Sequence, residues 1–159
     1  MMVRLLLVSM LFFAGVANAM VNPWHEGSRI EIMGKAGFSA PAIPSVERCG
    51  QKPVWRYLPP ENLVEAICPR GEYAETRMRV STRALEGDHV MYAHTSREMY
   101  KGVSIALYSL TRGGSYVKGE FKAGGLNYEI YIKPGTDLEA MMRQIRAVID
   151  ATSGTYKNQ

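Results

Sequence analysis

The residues able to do chemistry are few and widely spaced. Cys49 and Cys68 are the only cysteines. A pair of thiols in a chain bound for an oxidising compartment predicts one disulfide, enclosing eighteen intervening residues. Thiol redox catalysis normally sets its two cysteines two residues apart, and zinc would need two further ligands at characteristic spacing. His25, His89 and His94 are the only histidines. His89 and His94, five apart, fall on opposite sides of any straight strand. No nucleophile elbow, phosphate loop, His-Glu-x-x-His or dinucleotide fingerprint occurs in the chain. Ten methionines raise Cu(I) ligation by thioethers. They are scattered, however, and Met141 and Met142 fall on a helical stripe where filling gaps is the usual role. The expectation is a protein that is not an enzyme and holds no metal or cofactor.

Binding is the better-supported chemistry. Arg77, Arg79 and Arg83 occupy alternate positions of a predicted strand and share a face, the strongest anion-facing group in the chain. Arg112 and Tyr116 flank a glycine-rich hairpin. Guanidinium groups suit carboxylates and phosphates, and arginine and tyrosine are enriched at binding hot spots. These five residues form the predicted interaction surface, for a protein or an anionic envelope partner. The competing reading is a solvated outer face with Glu75 as local partner. The formal charge of +4 is too mild for a nucleic-acid binder.

The elements that must position these groups begin after residue 19. Arg4, the apolar run Leu5–Ala14 and Ala17-Asn18-Ala19 have the three parts of a secretory signal. The apolar stretch is short for a membrane span of about 20 residues. Residues 20–159 are therefore expected to form a single exported domain, periplasmic or secreted, with no transmembrane segment after cleavage. Hydrophobic residues at 47% and charged residues at 21% are ordinary globular composition.

Arg29–Met33 alternates and predicts a short strand, while Pro60–Ile67 predicts one or two helical turns. From residue 73 the alternation becomes regular. Strands are expected over Ala74–Arg83, Val90–Thr95, around Val103–Leu107, over Tyr116–Phe121 and over Leu126–Ile132, punctuated by turns at Glu86-Gly87-Asp88, Arg112–Ser115 and Ala123–Gly125. Thr136 with Glu139 reads as a capping box, and Leu138, Met141, Met142, Ile145, Val148 and Ile149 follow helical spacing up to a stop at Gly154. The predicted fold is α+β: an antiparallel meander of about five to six strands packed on one C-terminal amphipathic helix.

Two stretches carry family likenesses. The signal, an early strand, the Pro41-to-Cys49 stretch, a second cysteine and glycine-punctuated strands resemble a group of small exported bacterial proteins of unknown function. That likeness implies no activity. Gly113-Gly-Ser-Tyr116-Val-Lys-Gly119-Glu-Phe121 is similar to a segment of bacterial membrane-bound inhibitors of C-type lysozyme, although Arg112 stands where those proteins carry serine. This second likeness implies an inhibitor or immunity protein against an envelope-directed hydrolase.

Overall fold

A computed structural model describes residues 22–70, 76–85, 92, 94–112 and 114–155. The predicted signal, Glu75, the Glu86–Asp88 turn and His89 lie outside the described residues. Eight strands form one sheet: β1 (His25–Gly27), β2 (Val54–Leu58), β3 (Leu63–Ile67), β4 (Arg77–Ser81), β5 (His94–Tyr100), β6 (Val103–Ser109), β7 (Tyr116–Ala123) and β8 (Leu126–Tyr131). Neighbouring strands are antiparallel, in the order β1-β2-β3-β4-β8-β7-β6-β5. The α+β class holds, but the expected five or six strands are eight. They form two four-stranded meanders joined between β4 and β8.

Local chemistry explains the second meander. Lys101-Gly102 and Gly124-Gly125 all have positive φ. They are the two-residue turns that bring Tyr100 opposite Val103 and Ala123 opposite Leu126. Backbone in this conformation matches the twist of the flanking strands, and glycine adopts it without steric cost.

Two predicted elements are exchanged. Arg29–Ala36 is a helix, α1, where a strand was expected. Ser28 caps it: its hydroxyl accepts from Glu31 N, and the Glu31 carboxylate accepts from Ser28 N at 2.8 Å. This reciprocal cap outweighs a five-residue alternation too short to decide between periods. Conversely, the expected helical turns at 60–67 are a 3₁₀ turn (Pro59–Glu61) and strand β3. The prolines support only that tight turn, and Asn62 in the left-handed region sends the chain back alongside β2. A further short helix, α2 (Pro44–Glu47), follows a proline-containing segment.

The C-terminal helix α3 (Leu138–Thr155) forms where the stripe predicted it. Its cap lies one residue later than expected. Asp137 accepts from Ala140 N at 2.6 Å, whereas Thr136 donates to the Lys133 carbonyl and Glu139 pairs with Arg146. The helix also runs through Gly154. Met141, Met142, Ile145, Val148 and Ile149 are buried, while Leu138 is exposed. α1 and α3 cover the same sheet face, because Ile32, Trp55, Met78, Ile130 and Ile145 belong to one apolar cluster. At Gly119 the helix leaves no room for a side chain: an added Cβ would lie 2.7 Å from Ile145 Cδ1.

The predicted disulfide is present. Cys49, just after α2, is bonded to Cys68, just after β3. It ties the helical layer to the sheet.

Candidate functional site

Alternation along a strand puts every second side chain on the face away from the helices. Register then aligns these side chains across the whole sheet. Glu26 lies opposite Arg56, Arg56 opposite Glu65, Glu65 opposite Arg79, and Arg79 opposite Glu129. The row continues through Glu120 and Ala106 to Arg97 on the far edge strand. A charged row therefore crosses all eight strands.

Glu65 is the N-terminal hub. It is fully buried, and it accepts from Arg56 Nε at 2.6 Å and from Arg79 Nε at 2.7 Å. Arg77 Nε stands 3.4 Å from the same carboxylate. Trp24 stacks over the Arg56 guanidinium, 4.2 Å from its ring centre. Burial alone would lower the Arg79 pKa. Its bond to Glu65 and the nearby charge of Glu129 outweigh that and raise it.

Lys118 is the C-terminal hub, and it too is fully buried. Its ammonium contacts Glu120 and lies 2.9 Å from Glu129. The phenols of Tyr108 and Tyr131 donate to Glu120 at 2.7 Å and to Glu129 at 2.9 Å. The rings of Tyr92, Tyr108 and Tyr131 stand between 5.3 and 5.6 Å from the ammonium. Burial acts to lower the Lys118 pKa, but its contacts with Glu120 and Glu129 hold it above the usual lysine range. Glu120 and Glu129 face each other directly, a destabilising arrangement unless a cation lies against both. Lys118 is that cation. Arg79 Nη1, 3.7 Å from Glu129, links the two hubs.

The five predicted interaction residues are only partly gathered. Arg77 and Arg79 meet at Glu65, whose role the sequence reading missed. Arg83 lies beyond the other end of β4 and donates to the Pro60 carbonyl at 2.9 Å. Arg112 is exposed in the turn before β7. Tyr116 packs against the apolar cluster on the helical side, away from the arginines. The signal for Glu65 was a lone carboxylate amid Leu63, Val64, Ala66 and Ile67, which alternation would have placed opposite Arg79 had 63–67 been read as a strand.

Two clefts flank the Ala84-Leu85 segment on the open face. One, of about 320 Å³, is lined by Arg97, Glu120 and Glu129; the other, of about 350 Å³, by Arg79, Arg83 and Glu129. Among the described residues no three His, Cys, Asp or Glu side chains form a metal-ligand group. His25 and His94 lie on opposite edge strands. No helix among the described residues is long and apolar enough to cross a membrane. Comparison with protein-family models, curated proteins and solved structures finds no match for this chain.

Proposed function

We propose that this chain is an exported, non-enzymatic binding protein of the cell envelope that receives its partner on the open face of the sheet. The pairing along the charged row carries this reading. Glu65, Glu120 and Glu129 each hold a cation or a phenol at contact distance, so the inner groups fix one another and brace the more accessible side chains around them. Glu65 and Glu129 are buried, whereas Arg56, Arg77 and Arg79 are partly exposed and Arg97 and Lys122 exposed, so the accessible charge of these groups is mainly positive and suits an acidic partner surface. The disulfide fits an oxidising compartment. The sharper form of this reading is an inhibitor or immunity protein against an envelope-directed hydrolase.

The test uses Arg97 and Lys122, both exposed on this face. The mature domain is incubated with envelope extract, and retained proteins are identified by mass spectrometry beside the Arg97→Glu/Lys122→Glu variant. A partner held by the parent and lost by the variant supports the proposal. Equal retention by both proteins overturns it.

An envelope hydrolase is the second reading, favoured by Glu120 and Glu129 standing opposite each other at one cleft. It requires turnover of an envelope polymer that disappears in both Glu120→Gln and Glu129→Gln.

A further inference from the structure

A second group of cations lies on the helical side, away from the charged row. A cleft of about 640 Å³ opens between α2, the start of α3 and the chain leaving β8. Arg48, Lys133 and Arg143 line it, and among the described residues no carboxylate does. These three side chains have no ion pair or hydrogen bond to any described residue, in contrast to the arginines around Glu65. Gln144 lies at the same wall, and its amide oxygen is occupied in accepting from Ser45 N at 2.9 Å. What Gln144 can still offer is its two N–H donors. The lining is thus rich in donors, and its three cations come from three separate segments of the chain.

We infer that this cleft is a binding site for a phosphorylated ligand carrying at least two negative charges. Its volume matches sites for small organic molecules, typically about 300–1,000 Å³. Arginine forks pair with phosphate oxygens, and lysine adds a point charge. Three cations lining one cleft repel one another, so an anion that pairs with them gains affinity from relieving that repulsion as well as from its own contacts. The inference stands independently of the open-face proposal, because the two sites share no residue.

Pyrophosphate is the soluble probe, titrated calorimetrically into the mature domain at low ionic strength. Vesicles of phosphatidylglycerol in phosphatidylcholine, read by co-sedimentation, test whether the phosphate belongs to a lipid headgroup. The Arg48→Gln/Lys133→Gln/Arg143→Gln variant should weaken whichever probe binds by about tenfold or more. A charge-matched Lys35→Gln/Lys52→Gln/Lys101→Gln variant, altered outside the cleft, should bind within about twofold of the parent. Binding of pyrophosphate alone assigns a soluble ligand, and cleft-dependent binding of vesicles assigns a headgroup. The site is overturned if neither probe binds, or if the charge-matched variant loses as much affinity as the cleft variant. Circular dichroism of both variants separates loss of binding from loss of fold.

Discussion

Arg79 of β4 and Glu129 of β8 lie directly opposite each other at the junction of the two meanders. The Arg79 guanidinium reaches across that junction, 2.7 Å from Glu65 on one side and 3.7 Å from Glu129 on the other. One side chain thereby couples a cluster built around a buried carboxylate to one built around a buried lysine. Each cluster lies within one meander, so the seam between β4 and β8 is held electrostatically on one face and by apolar packing on the other.

Removing the carboxylate hub should be costly. Glu65→Gln keeps the shape but strips the counter-charge from Arg56, Arg77 and Arg79. Breaking a buried pair costs about 3–5 kcal/mol, and the partly exposed arginines can rehydrate, so the lower end is expected. Arg77→Gln, at 3.4 Å and with a side chain 37% exposed, should cost about 1 kcal/mol or less. Urea unfolding midpoints compare the two variants. Equal losses would show that Glu65 is not the organising group.

Tyr108 and Tyr128, both buried, and the half-buried Tyr131 should respond differently to losing the hydroxyl. The Tyr128 hydroxyl has no hydrogen-bond partner, whereas Tyr108 and Tyr131 donate to carboxylates. Tyr128→Phe is expected to be neutral or stabilising, and Tyr108→Phe or Tyr131→Phe to cost about 1.5–3 kcal/mol. Thermal unfolding of the three single variants checks this ordering.

The same phenols give an alkaline signature. Burial is the leading cause that pushes Tyr108, Tyr128 and Tyr131 up to about 12. Unfolded phenols lose their protons near pH 10. The folded protein therefore binds more protons between pH 10 and 12, and the contribution to stability, complete below pH 10, declines as pH rises through that window. Urea midpoints should fall between pH 9 and pH 11. Phenolate absorbance from these residues should appear only with unfolding at pH 11.

Helix docking can be probed at one backbone position. Gly119→Ala places a methyl group against Ile145 Cδ1 in a fully buried site. Overpacking of this kind typically costs about 1–3 kcal/mol. Adding Ile145→Val removes the opposing methyl and should recover part of the loss. A double variant no more stable than Gly119→Ala would place the contact elsewhere.

The crosslink between Cys49 and Cys68 restrains the unfolded chain. Cys49→Ser/Cys68→Ser should lose roughly 3 kcal/mol, the value expected for a loop of this size in the chain-entropy model. Non-reducing peptide mapping of exported material should recover the linked pair, and denaturant titration should report the stability change.

Much of this architecture was legible in the amino-acid sequence because it rests on local periodicity. The stripe of Met141, Ile145 and Val148 identified α3, and alternation identified β6, β7 and β8, since each element buries one face whatever its partner. The two cysteines, with no others to compete, identified their bridge. Short segments were not legible in this way. Five alternating residues after Ser28 became a helix because a capping box outweighed them, and Leu63–Ile67 became a strand because β2 and β4 were there to pair with it. Strand order was also beyond local reading, because hydrogen-bonded neighbours are chosen by the long-range competition that joins β4 to β8. The charged row belongs to this second class: Glu65, Arg79, Glu129 and Glu120 are scattered in the chain and look like ordinary surface charges. Register alone places them side by side, and only there does burial make Arg79 the counter-charge of Glu65 and Glu129, and Lys118 that of Glu129 and Glu120.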